Sequence, residues 1–169
     1  MADDKFSEIV QKQLDAVEPN TFIRGELVYP CWARLKDQTI YEAVLVMDQP
    51  TFEFSTGFRD PMMREEKIHG GDCWIAPADI EEIRESPKRL PARFANQIAS
   101  GGESGMGMFV FTVVFTWFRR RTYVTTTINL LEYPPFTGPG SIKAVIPHKG
   151  KRSVKSISEV KAPVCMFIR

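Results

Sequence analysis

Hydrophobic residues recur along this chain with two different periods, and the change from one to the other organises it. Between 3 and 17, Phe6, Ile9, Val10, Leu14 and Val17 fall at helical intervals on one face. The spacing predicts an amphipathic helix, with Asp3 and Asp4 at the end where the helix dipole favours negative charge. Pro19-Asn20 ends it. From 21 onward the pattern changes to short runs rich in β-branched residues. The segments 21–29, 31–35, 39–47 and 51–55 predict strands, with turns at Asp37-Gln38 and at Asp48-Gln49-Pro50. The polar stretch 56–66 predicts a long loop, and Gly70-Gly71-Asp72 a hairpin turn between 67–69 and 73–75. Pro77 and Pro91 suit the first turns of two short helices, one running to about Arg84 and one to Ala99. The second carries Leu90, Phe94 and Ile98 on one side.

The longest apolar run is 108–117, paired by pattern with 122–131. Phe109, Phe111, Val113, Phe115 and Trp117 line one face of it, and Met108, Val110, Thr112, Val114 and Thr116 the other. Two largely apolar faces predict a central strand covered on both sides. The run is launched by Gly101, Gly102, Glu103, Ser104, Gly105 and Gly107. Glycines at the end of a helix predict a left-handed cap followed by a bend or bulge into the strand. Segments 142–146, 154–157 and 164–168 predict further strands.

Composition adds little until charge is mapped along the chain. The 169 residues carry a formal net charge of +1, with 25% charged and 43% hydrophobic residues, which is ordinary for a globular domain. That balance hides an asymmetry. Residues 1–118 hold 12 lysines and arginines against 19 acidic residues, whereas 119–169 hold 10 against 2. Opposed halves of this kind form an electrostatic binding face or pair with each other, within or between copies. Cys31, Cys73 and Cys165 are widely spaced, and the first residues are acidic and polar. No apolar run reaches the roughly 18 residues of a membrane span. Together these predict a cytoplasmic protein with reduced thiols and no membrane association.

Three groups of residues carry candidate chemistry. Glu103 and Ser104 lie in the glycine-rich junction, where a ligand could meet backbone amides or a serine nucleophile. However, the order helix–glycines–strand is the reverse of a phosphate loop, and a Gly-x-Ser-x-Gly elbow is not completed. His69, Asp72 and Cys73 place an imidazole, a carboxylate and a thiol within five residues. With His148 as the only other histidine, they fall short of a metal set, and no cofactor motif is complete. Arg119, Arg120, Arg121, Lys149, Lys151, Arg152 and Lys155 form two basic clusters, one of them beside Trp117, Phe118 and Tyr123. That combination suits phosphate contact with base stacking.

The run Cys31-Trp-Ala-Arg-Leu-Lys-Asp-Gln-Thr-Ile-Tyr-Glu-Ala-Val-Leu-Val resembles a hairpin of an SH3-like or Tudor-like barrel, with Trp74-Ile-Ala-Pro-Ala-Asp-Ile-Glu-Glu-Ile as closing strand and turn. The resemblance implies a small barrel near the N-terminus, in which Trp32, Tyr41, Phe52 and Phe54 offer an aromatic cage or form core. The expected fold is therefore α+β and predominantly antiparallel β. It comprises an N-terminal helix at 1–20, an SH3-like part at 21–90, and a connecting helix plus a second sheet at 91–169, with two to three short helices in all. The expected function is a non-enzymatic binding module that meets a protein partner, or a second copy, through its loops and basic half. Two alternatives stand beside it. One is a small hydrolase or transferase joining the Gly101–Gly107 loop to the His69–Cys73 turn. The other is a nucleic-acid or acidic-protein binder acting through Arg119–Arg121.

Overall fold

The computed structural model describes residues 5–21, 25–56, 75–105, 107–149, 160 and 162–167. In chain order the elements are α1 (Glu8–Asp15), β1 (Asn20–Thr21), β2 (Leu27–Leu35), β3 (Ile40–Asp48), α2 (Gln49–Thr56), β4 (Ile80–Glu85), α3 (Ala92–Gly101), β5 (Phe109–Phe115), β6 (Arg120–Thr125), β7 (Ile142–His148) and β8 (Val164–Phe167). Short 3-10 turns occupy Pro77–Asp79, Thr116–Phe118 and Pro139–Ser141. Among the described residues the protein is α+β with mostly strands, and neither of the two sheets they form closes into a barrel. The chain forms two compact units. The first comprises Met1–Pro19, Glu26–Ser86 and Lys161–Arg169, and the second Asn20–Gly25 and Pro87–Val160.

The first unit is built on an open mixed sheet in the order β4-β2-β3-β8, antiparallel except for the parallel pair β3–β8. The predicted hairpin forms around Asp37, whose carboxylate accepts the Thr39 backbone N–H at 2.9 Å. β2 runs unbroken through Pro30, where two strands were expected. Two irregularities set which side chains face inward. Between Cys31 and Ala33 the partner strand advances three residues instead of two, so Tyr41 joins Val44 and Val46 over the core. Between Arg34 and Leu35 the register on β4 slips likewise, which puts Ile80 and Ile83 on the same face. That i, i+3 spacing mimics a helix, and it is why the expected helix after Pro77 is instead a three-residue turn followed by a strand.

α1 covers this face with Val10 and Leu14, joined by Val17 just past its end, packed on Cys31, Ala33, Val44, Val46 and Cys165. Its start is fixed by Ser7, whose hydroxyl accepts the Val10 N–H. Gln13 Oε1 accepts the Ile83 N–H at 2.9 Å, so the helix also occupies a donor on the edge strand. The strand expected at 51–55 is α2. The Asp48 carboxylate accepts the Thr51 N–H at 3.0 Å, and Pro50 sits in the first turn, where its missing N–H costs nothing.

The second unit is a three-stranded antiparallel sheet in the order β6-β5-β7, so the longest apolar run does form the central strand. α3 supplies Phe94, Ala95, Ile98 and Ala99 to one core with Phe111, Val113, Phe115, Tyr123, Ile142 and Val145. Burying this many apolar side chains stabilises the unit at about 25 cal/mol per Å² removed from water. The opposite face of β5 is less covered than expected. Thr112 and Val114 are only half-buried there. Thr112 Oγ1 lies 2.8 Å from both Thr122 Oγ1 and His148 Nε2.

Candidate nucleic-acid interface

The glycine-rich junction proves to be a tightly bonded turn. The Gly102 N–H closes α3 onto the Ala99 carbonyl at 3.0 Å with φ +77. The chain then doubles back: Ser104 N–H donates to the Met108 carbonyl at 2.8 Å, and Met108 N–H to the Gly105 carbonyl at 3.0 Å. Gly105 (φ +143) and Gly107 (φ +75) hold conformations that side chains resist. Glu103 is exposed and spans the turn, its Oε2 accepting the Gly107 N–H at 3.0 Å. Gly101 must stay small, because a Cβ there would stand 2.9 Å from Pro147 Cβ.

Ser104 ties this turn to the sheet. Its hydroxyl donates to the His148 backbone carbonyl at 2.6 Å and accepts the Val110 N–H at 2.9 Å. The one hydroxyl hydrogen is thereby held by main chain, so the His148 imidazole does not receive it. The imidazole instead reaches Thr112. His69, Asp72 and Cys73 lie outside the described residues, as do Lys151 and Arg152. Among the described residues no three His, Cys, Asp or Glu side chains come together. Cys31 and Cys165 are fully buried in the first unit, and burial pushes the Cys165 thiol far above its usual range, against nucleophilic use.

The aromatic set does not assemble as a cage. Trp32 is buried with the Arg84 guanidinium 3.9 Å above its ring. Tyr41 packs on the core of the other sheet face, Phe52 is buried in α2, and the Phe54 side chain lies outside the described residues.

The arginine segment is arranged differently from the simple turn that was expected. β5 stops at Phe115, whose N–H donates to the Arg119 carbonyl at 2.8 Å across a three-residue loop. Trp117 therefore belongs to the loop rather than to the strand face it was assigned to. It adopts φ 73, ψ 22 and is 90% exposed. Arg119 follows the loop and Arg120 opens β6, both exposed. Arg121 is half-buried, opposite Val113, with its guanidinium 5.6 Å from the centre of the Tyr123 ring. Consecutive strand residues point to opposite faces, so the three arginines diverge, and two of them present charge at the sheet end. Burial raises the Tyr123 phenol pKa, opposed by Arg121. Lys149 is exposed just past β7, where His148 registers with Val110. It therefore marks the other end of the sheet, about 20 Å from the Arg119 loop at the usual rise per strand residue.

The division into units sharpens the charge asymmetry seen in the sequence. The second unit holds 12 lysines and arginines against 3 acidic residues, a formal +9, and the first holds 10 against 18, a formal −8. A near-neutral whole thus contains one strongly basic part. Sequence reasoning placed Trp117 at the end of an apolar strand face beside the arginines, and missed its left-handed, solvent-facing position.

No family model, curated protein or solved structure matches this chain. Fold and charge define it as an α+β protein of two open-sheet units of opposite sign. No helix is long and apolar enough to cross a membrane among the described residues.

Proposed function

We propose that this protein is a non-enzymatic, cytoplasmic binding module whose second unit takes a nucleic acid as its partner. The observation that carries the reading is the tip of the β5–β6 hairpin, where Trp117 stands in solvent immediately ahead of exposed Arg119 and Arg120 on a unit of formal charge +9. Guanidinium groups supply contacts to phosphate oxygens, and an indole supplies a surface on which a base stacks. The concentration of positive charge in one unit adds a longer-range pull that speeds encounter and weakens with salt. The acidic first unit makes a second copy of the chain a competitor for the same surface, and moderate salt suppresses that competition as well.

Fluorescence anisotropy with labelled oligonucleotides at low ionic strength tests the reading. Saturable binding that weakens steeply as salt is raised is the expected result. Absence of binding at low salt would end the proposal.

A further inference from the structure

Trp117 has a counterpart. Phe136 lies in Pro134-Pro135-Phe136-Thr137, a tight turn closed by the Thr137 N–H on the Pro134 carbonyl at 3.1 Å. Pro135 takes the second position and Phe136 the third, with φ 63. This is the type II arrangement, whose third position ordinarily belongs to glycine. Phe136 is nonetheless fully exposed, at 106% of its reference area. Among the described residues, three non-glycine residues have positive φ: Gln38, Trp117 and Phe136. Two of these are the most exposed large apolar side chains among the described residues.

A large ring in a left-handed turn, with nothing packed on it, costs conformational energy and returns no burial. Strain of that kind points to use. The two rings also share a location. Phe115, two residues before Trp117, packs edge-on against Tyr133 with ring centroids 6.2 Å apart, and Tyr133 lies three residues before Phe136. Phe115 also registers with Ile142, where β7 begins. Both turns therefore occupy the same end of the three-stranded sheet, together with Arg119 and Arg120. The unit's other exposed large apolar residues among those described, Met108 and Ile146, are elsewhere, just before β5 and toward the far end of β7.

Resting on the nucleic-acid reading above, we infer that Trp117 and Phe136 are paired stacking platforms that select unpaired bases, so the ligand class is single-stranded nucleic acid. Flat rings on hydrogen-bonded turns, at the sheet end that also carries exposed Arg119 and Arg120, match bases strung on a phosphate backbone. Binding to a bilayer scales with the apolar area inserted, and among the described residues this end offers two separate rings flanking exposed Arg119 and Arg120 rather than a continuous apolar face.

The test compares an oligothymidylate with an abasic-spacer oligomer of equal length and charge, by anisotropy at fixed low salt. Trp117→Ala, Phe136→Ala and the double variant are measured beside the parent, with circular dichroism confirming the fold. The parent is expected to bind the thymidylate at least tenfold more tightly than the abasic oligomer. Each single variant is expected to lose between roughly fivefold and a hundredfold on the thymidylate alone. The double variant is expected to treat both oligomers alike, with abasic affinity unchanged. Equal parental affinity for the two oligomers, or equal losses on both, would overturn base stacking while leaving phosphate binding intact. Failure to bind either oligomer would overturn both readings. Displacement of the thymidylate by vesicles of phosphatidylserine and phosphatidylcholine, abolished by Trp117→Ala, would reassign the rings to a lipid surface and overturn the inference.

Discussion

Replacing Trp117 by glycine is expected to stabilise the fold, an unusual outcome for losing the largest side chain. Trp117 is 90% exposed, so truncation gives up little buried area. Its φ 73, ψ 22 conformation costs a residue with a Cβ about 1–2 kcal/mol. Glycine removes that cost but gains freedom in the unfolded chain, which offsets about 0.4–1 kcal/mol. The net expectation for Trp117→Gly is a gain of about 0.5–1 kcal/mol, or roughly 1–4 °C in melting temperature for a chain of this size. Trp117→Ala retains the Cβ and with it most of the strain, so it should melt close to the parent. Thermal unfolding of the three proteins, followed by circular dichroism, separates strain from packing. A glycine variant melting at or below the alanine variant would refute the claim that the indole is held against its conformational preference. The same glycine variant should bind oligonucleotide more weakly, so that stability and binding move in opposite directions.

Two further substitutions probe other parts of the second unit. Ser104→Ala removes both main-chain hydrogen bonds of a half-buried hydroxyl and should cost about 1–3 kcal/mol, read as a lower melting temperature. Its oligonucleotide affinity should not change, because Ser104 bonds to Val110 and His148 at the end of the sheet away from Trp117; a binding loss without a stability loss would instead give that hydroxyl a ligand role. Burial raises the phenol pKa values of both Tyr123 and Tyr133 above the ordinary 10.0. A raised folded-state pKa means that the stabilisation is complete below pH 10 and is lost as pH climbs from there toward the folded-state value. Melting temperature should therefore fall above pH 10, and less steeply in Tyr133→Phe; identical alkaline profiles for parent and variant would contradict the burial of that phenol.

Much of the architecture was legible in the sequence because its signals are local. The helical spacing of Val10, Leu14 and Val17, the Asp37 turn, and the glycine cap after α3 each act within a few residues. The central position of β5 followed from its unbroken apolar run. The misreadings have physical causes. Register slips gave Ile80 and Ile83 a helical spacing inside a strand. Asp48 and Pro50 look like a chain-breaking turn, yet a capping carboxylate followed by proline is equally a helix start, and that signal was present to be used. The barrel implied by the hairpin did not close, because a hairpin pattern carries no information about what pairs with its outer edges.

The site was less legible than the fold. That Ser104 is a cross-link depends on His148, 44 residues away. Trp117 continues the hydrophobic alternation of β5 without interruption, so only the backbone reveals that it leaves the strand. Phe136 looks like one more apolar residue in a proline-rich loop until its exposure and φ are known. The basic character of the second half was legible once charge was mapped along the chain, and the division into units sharpened it.

The central claim, that the basic end of the second unit holds a nucleic-acid backbone, is tested most directly by the salt dependence of oligonucleotide binding. Anisotropy titrations of a labelled single-stranded oligonucleotide across a salt series give the slope of log affinity against log salt. For the parent, affinity should fall steeply with salt. For the Arg119→Ala, Arg120→Ala double variant, the slope should be shallower by about 1.4, the release of two counterions from a single strand. Parent and variant sharing one slope and one affinity, or a parent that does not bind at low salt, would contradict the account.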